Sequence, residues 1–77
     1  MDITAASGTK LYRSSDWHRL TGRYVEVRRG EQLYRRGTVD TVMPDGSGVW
    51  LAADYAHSRK YIEKADGYVL WSDDFYF

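Results

Sequence analysis

Two short runs of the chain bring together side chains that could do chemistry, and each contains one of the two histidines. Ser14, Ser15 and Asp16 precede His18, so a hydroxyl, a carboxylate and an imidazole fall within five residues. Catalytic triads usually take their members from distant segments, because a fixed scaffold must hold their geometry. We therefore interpret this run as the N-cap of a short helix, where a small polar side chain accepts a backbone N–H.

The remaining acidic and glycine-rich runs favour structural roles over catalysis. Asp54 and His57 could supply two metal ligands, but no third ligand is near them in the sequence. Asp73 and Asp74 fit a charged surface segment. Residues 45–48 read Asp-Gly-Ser-Gly, without the lysine and following helix of a phosphate loop, and therefore predict a hairpin turn. We predict no catalytic residues, no metal site, no cofactor and no enzymatic activity.

The composition is that of one small globular domain. The chain has 77 residues, of which 43% are hydrophobic and 29% are charged, and it contains no cysteine. Its apolar runs are only a few residues long, whereas a membrane-spanning helix needs about 20, and its N-terminus lacks a signal-peptide pattern. We expect a cytoplasmic protein with no membrane partner, composed of a flexible arm at residues 1–10 and a single domain at residues 11–77.

The charges cancel overall but are segregated along the chain. Residues 10–36 carry eight basic and three acidic side chains, a net charge of +5. Most of the basic residues are arginines, which suit bidentate contacts with carboxylates or phosphates. Two interpretations stay open: these arginines form a basic face for a partner, or they pair with Asp54, Asp73 and Asp74 of the same molecule.

Alternating apolar and polar residues predict strands over most of the domain. We predict them at residues 23–29, 33–43, 49–53 and 68–71, after a short helix within residues 14–22. Residues 54–67 fit either a helix or a strand at 59–64, and we favour the strand. Gly37 interrupts the second strand, which indicates a bulge or sharp bend there. The predicted core consists of Val25, Val27, Val39, Leu51 and Val69.

The strand pattern also resembles that of a known class of small barrels. The sequence Leu-Thr-Gly-Arg-Tyr-Val-Glu-Val at residues 20–27, then Gly-Thr-Val-Asp-Thr-Val at 37–42, then Asp45-Gly46 and Trp50-Leu51, resembles Sm-like and Src-homology-type small β-barrels. Residues 51–54 and 59–71 resemble small bacterial proteins with no assigned activity. The resemblance implies an all-β fold, a small five-stranded Src-homology-like or Sm-like barrel with one short N-terminal helix.

Exposed aromatic rings beside arginines point to binding. On strands whose valines face inward, Tyr24 and Trp50 must face outward. We predict a non-enzymatic binding or assembly module that recognises a protein or peptide through a basic and aromatic face, consisting of Arg23, Tyr24, Arg28, Arg35, Arg36 and Trp50. The alternative is a nucleic-acid-binding Sm-like module, because Sm-like proteins bind RNA. A homo-oligomer stays open, since the aromatic tail at residues 72–77 could cover its own chain or join a neighbouring one.

Overall fold

Six short strands and two 3₁₀ helices make up most of the computed structural model, which describes residues 10–73. The strands are β1 (Tyr12–Ser14), β2 (Tyr24–Arg29), β3 (Gln32–Val42), β4 (Gly48–Leu51), β5 (Lys60–Glu63) and β6 (Tyr68–Ser72), and the helices are η1 (Trp17–Leu20) and η2 (Lys64–Asp66). The predicted all-β class is confirmed, and β5 confirms the strand alternative for residues 59–64. The predicted arm and tail lie, apart from Lys10, Ser72 and Asp73, outside the described residues.

All strands pair antiparallel in one sheet, in the order β1-β6-β2-β3-β4-β5. Within residues 10–73 no pairing joins the edge strands β1 and β5, so the sheet is not closed. The prediction of a five-stranded closed barrel is therefore wrong. The sixth strand is β1, whose three residues are too few to show an alternating pattern. The predicted N-terminal helix is a single 3₁₀ turn, capped by the Asp16 carboxylate, which accepts the His18 backbone N–H at 3.2 Å.

The core lies on the inner face of this curved sheet and is closed at one end by η1. Its buried hydrophobic residues are Trp17, Leu20, Val25, Val27, Val39, Val49, Leu51, Ile62 and Leu70. Four of the five predicted core residues are confirmed, but Val69 is wrong, because it is half-exposed and its neighbour Leu70 is buried. Leu70 lies opposite Val27, and directly opposed residues of an antiparallel pair share a face.

The eleven-residue strand β3 carries both halves of the sheet. It pairs with β2 up to Thr38 and with β4 from Val39 onwards. The bulge predicted at Gly37 is wrong, since the register shifts instead opposite the Val27–Arg28 step and between Val39 and Thr41. A Cβ atom on Gly37 would lie 3.2 Å from the Arg35 guanidinium, so this glycine leaves room for a neighbouring side chain.

The hairpin turn predicted at residues 45–48 is confirmed and is closely packed. The Gly46 amide donates to the Met43 carbonyl at 2.8 Å, and Gly46 has a positive φ of 74°. A Cβ atom on Gly48 would overlap the Tyr61 hydroxyl and lie 2.7 Å from the Ile62 carbonyl oxygen. Gly48 is thus needed for close approach of β4 to β5, whereas Gly46 is needed both for its backbone angle and because a Cβ atom there would lie 2.6 Å from the His18 ring.

We expect Gly48→Ala to lower the free energy of unfolding by about 2–3 kcal/mol, because the added methyl group would force β4 and β5 apart. Gly22→Ala is the comparison: Gly22 has a positive φ of 82° but open space around its Cα, whereas Gly48 is not among the glycines with a positive φ and is closely packed. That change should lower the free energy by only about 1 kcal/mol. Urea unfolding followed by circular dichroism measures both. A larger loss for Gly22→Ala would contradict the packing assigned to Gly48.

His18 links η1 to the hairpin turn. Its Nε2 lies 2.9 Å from the Pro44 carbonyl oxygen and its Nδ1 lies 3.2 Å from the Asp16 carboxylate. Neither a carbonyl nor a carboxylate carries a hydrogen, so only the doubly protonated imidazolium satisfies both contacts. Accordingly, the Pro44 carbonyl first and the Asp16 carboxylate second raise the pKa of His18 above its usual value.

The raised pKa of His18 predicts a pH-dependent stability. Its stabilising effect is fully present below the unfolded-state pKa of about 6.5 and is lost as the pH rises through the higher folded-state pKa. We expect the melting temperature to fall as the pH rises above about 6.5, and to fall less in His18→Gln. Thermal melts of both proteins measure this. Equal pH dependence in the two proteins would show that His18 is not the group responsible.

Candidate functional site

The large apolar side chains that residues 10–73 expose surround one groove. They are Tyr24, Leu33, Tyr34 and Tyr55, which are 60%, 41%, 45% and fully exposed. All four line a groove of about 390 Å³ between the first half of β3 and the loop at residues 54–57. We call it the β3 groove. Its other lining residues are Arg35, Arg36, Asp54, Ala56 and His57.

A break in the alternation of β3 places two apolar neighbours on the surface. In the register of β2 and β3, Val27 lies opposite Arg35 and Arg28 lies opposite Leu33, so Tyr34 has no partner residue in β2. The extra residue interrupts the alternation, and Leu33 and Tyr34 are both exposed. The Tyr34 ring then packs against the Tyr68 ring, with 5.4 Å between the ring centroids.

The far wall of the groove is a loop held by one aspartate. The Asp54 carboxylate accepts the backbone N–H groups of Ala56 at 2.8 Å and of His57 at 2.7 Å. These contacts, with the Ala56 amide first, lower the pKa of Asp54 below its usual range. The His57 ring nitrogen Nδ1 lies 3.2 Å from the same carboxylate oxygen. Asp54 therefore shapes the loop that carries Tyr55 at its tip.

Arg35 lies on the inner side of β3 and ties that strand to the loop. Only 8% of the residue is exposed. Its guanidinium donates to the Ser58 carbonyl at 2.9 Å and to the Ala52 carbonyl at 3.3 Å, with a longer contact of 3.4 Å to the Arg36 carbonyl. These bonds hold β3 against the segment that carries the loop, and Arg35 is among the residues that line the groove.

Arg28 and Arg36 share a buried carboxylate on the outer face of the sheet. Glu26 is 2% exposed. One of its oxygens accepts Arg28 Nε at 3.1 Å, and the other accepts Arg36 Nε at 3.0 Å and Arg36 Nη2 at 2.9 Å. The two arginines therefore pair within the molecule, but with Glu26 rather than with Asp54 or Asp73.

The other two residues of the predicted face have separate surroundings. Trp50 packs against the Tyr61 ring at 5.2 Å and under the Arg59 guanidinium at 4.3 Å, and it does not line the β3 groove. Arg23 precedes β2, and its carbonyl accepts the Val39 N–H at 2.8 Å. The structure thus gathers Tyr24, Arg35 and Arg36 at the groove and places Arg28 beside Arg36 through Glu26.

Sequence reasoning missed the apolar groove residues Leu33, Tyr34 and Tyr55, and the loop residues Asp54, Ala56 and His57. One signal was available for the first two: four large side chains at residues 33–36 follow a turn, and a regular strand would have to send two of them inward. In a regular strand, Leu33 shares a face with Arg35, and Tyr34 shares the other face with Arg36. Either face turned inward would therefore bury an arginine, and this conflict indicates a bulge. Tyr55 gave no signal, because its loop depends on the Asp54 contacts.

The other chemical candidates form no reactive arrangement in the described part of the chain. The Ser14 hydroxyl donates to the Asp16 backbone carbonyl at 3.4 Å, not to His18. Residues 10–73 contain no group of three His, Asp or Glu side chains placed to hold a metal ion. Nor do they form a helix long and apolar enough to cross a membrane. Comparison with protein-family models, curated protein sequences and solved structures finds no match to this chain.

Loss of the Glu26 charge should destabilise the sheet. We expect Glu26→Gln to lower the free energy of unfolding by about 2–3 kcal/mol, because it leaves two arginines without their counter-ion and sets an amide N–H against their donors. The expected loss is below that of a fully buried pair, since water reaches both arginines. Glu31→Gln, at an exposed turn position, should change it by less than about 0.5 kcal/mol. Urea unfolding of both variants tests this, and equal stabilities would contradict it.

Proposed function

We propose that the protein is a non-enzymatic binding module that holds an extended segment of a partner protein in the β3 groove. The observation that carries the proposal is that every large apolar side chain the described residues expose lines this groove. Scattered surface apolar residues are ordinary, whereas a contiguous group around a concave site indicates a binding surface. A groove this size holds one or two side chains of a bound segment.

Three tyrosines supply the contact area of such a site. Tyrosine buries a large rigid ring with few rotatable bonds and keeps a hydroxyl for hydrogen bonding, which is why it is enriched at protein interfaces. Tyr34 is held in place by Tyr68, whose ring in turn lies 5.1 Å below the Arg29 guanidinium. A ring that is already fixed loses little entropy on binding.

The pairing of the arginines favours a protein partner over a nucleic acid. Binding to a phosphate backbone requires cationic groups that can exchange counter-ions for phosphates. Arg28 and Arg36 already share Glu26, and Arg35 is only 8% exposed, so it can meet a single inserted side chain but not a row of phosphates. The face predicted from the sequence thus presents less available positive charge than its four arginines suggest.

We also keep the resemblance to Sm-like and Src-homology-type small barrels as a proposal about the fold. It is supported by β3, one long strand that passes from the β2 half to the β4 half of the sheet. The open edges and the additional strand β1 distinguish the described structure from a closed five-stranded barrel.

A display library of random twelve-residue peptides, selected against the full chain, tests the binding function. We expect selected peptides to bind Tyr34→Ser/Tyr55→Ser at least about tenfold more weakly, because interface tyrosines carry much of the binding energy. The matched control is Tyr12→Ser, which removes a tyrosine on edge strand β1 and should bind as the wild type does. Melting curves confirm that each variant is folded.

Two outcomes would contradict the proposal. Selected peptides that bind the double variant as tightly as the wild type would place their site outside the β3 groove. Failure to select any peptide, together with binding of mixed single-stranded RNA that weakens steeply with salt, would favour the nucleic-acid alternative.

A further inference from the structure

A buried cation without a carboxylate lies in the wall of the β3 groove. Arg35 is 92% buried, yet no Asp or Glu among residues 10–73 forms an ion pair with it, in contrast to Arg28, Arg36 and Arg59. An arginine does not lose its proton in a protein. Its positive charge is therefore retained out of bulk water, where an unpaired charge is unfavourable.

The hydrogen bonds of Arg35 leave donors unused. A guanidinium has five N–H groups in a planar fork. Three of them point to the carbonyl groups of Arg36, Ser58 and Ala52, one from each nitrogen. One N–H on Nη1 and one on Nη2 have no partner among the described residues. Two N–H groups on the ends of one guanidinium fit the two oxygens of a carboxylate.

The one carboxylate in the groove does not neutralise Arg35. Asp54 lines the same groove, but it forms no ion pair with Arg35. Its Oδ1 accepts the backbone N–H groups of Ala56 and His57. Next to Arg35 in the wall is Arg36, whose Nη1 is not used by Glu26 and whose side chain is 42% exposed. Among the carboxylates of the described residues, Glu26 thus pairs with Arg36, while none, Asp54 of the groove included, forms an ion pair with Arg35.

We infer that the partner segment places an Asp or Glu side chain in the β3 groove, where its carboxylate accepts from Arg35 and the adjacent residue packs on Tyr34 or Tyr55. The inference rests on the proposed function and adds the chemistry of the ligand. A carboxylate arriving from the partner supplies the counter-ion that the chain itself does not provide. Water exclusion by the tyrosines strengthens the resulting charge-assisted hydrogen bonds.

Selected peptides provide the probes. We expect most of them to contain Asp or Glu beside an aromatic residue. Changing that acid to Asn or Gln in one synthetic peptide should weaken its binding to the wild-type protein at least tenfold, measured by fluorescence anisotropy. This comparison leaves the protein unchanged, so its outcome does not depend on whether an Arg35→Lys variant folds.

The Nε–H signal of Arg35 in a nitrogen-15 correlation spectrum is the second measurement. It should shift during titration with the acidic peptide and stay in place with its amide counterpart. The Arg59 Nε–H is the internal control, because Arg59 pairs with Asp40 at 2.9 Å and does not line the groove. Both peptides should still shift the backbone signals of Tyr34 and Tyr55.

The outcomes separate this inference from the proposed function. If the acidic and amide peptides bind equally and the Arg35 signal is unmoved, while Tyr34→Ser/Tyr55→Ser still abolishes binding, the carboxylate subsite is wrong and the binding groove stands. If the double tyrosine variant binds both peptides as the wild type does, the groove itself is wrong and the inference falls with it.

Discussion

Strand β3 is the constraint on which the rest of the molecule depends. Its first part pairs with β2 and its second part with β4, so the two halves of the sheet share one strand. A strand that pairs with two different neighbours along its length needs local irregularities, and β3 has one register shift with each neighbour. The register shift opposite the Val27–Arg28 step also exposes Leu33 and Tyr34 together. The same deformation therefore lets one strand serve both halves of the sheet and exposes two of the residues that line the β3 groove.

Arginine chemistry holds this bent strand in place from both faces. On the outer face, Glu26 of β2 accepts from Arg36 of β3, across directly opposed positions. On the inner face, Arg35 donates to the carbonyls of Ala52 and Ser58, which flank the loop at residues 54–57. A lysine could not replace Arg35, because a single ammonium group lacks the planar fork that reaches two separated carbonyls at once. The successive residues Arg35 and Arg36 therefore differ in charge compensation. Glu26 neutralises Arg36, whereas Arg35 has only carbonyl partners.

The sequence predicts what depends on local alternation and not what depends on register. Val25, Val27, Val39 and Leu51 are buried as predicted, because each strand alone determines which residues share a face. Val69 was wrong because the face of β6 is set by pairing with β2, which places Leu70 opposite Val27. For the same reason, only part of the predicted basic and aromatic face lies at the groove. Alternation turned Tyr24 outward as observed, but it could not place Trp50, which packs with Arg59 and Tyr61 away from the groove.

The edges of the sheet bear on why we propose the groove, and not a sheet edge, as the binding site. An exposed sheet edge pairs readily with other chains when it is long, flat and apolar. Here β1 has three residues and β5 has four, and both carry charged side chains, Arg13 and Lys60. Each edge offers few free backbone groups to a neighbour. At the β3 groove the exposed groups are instead the side chains of Tyr24, Leu33, Tyr34 and Tyr55, so binding at the proposed site would depend on the side chains of a partner. Recognition through side chains discriminates among sequences, whereas pairing through a bare backbone edge discriminates little.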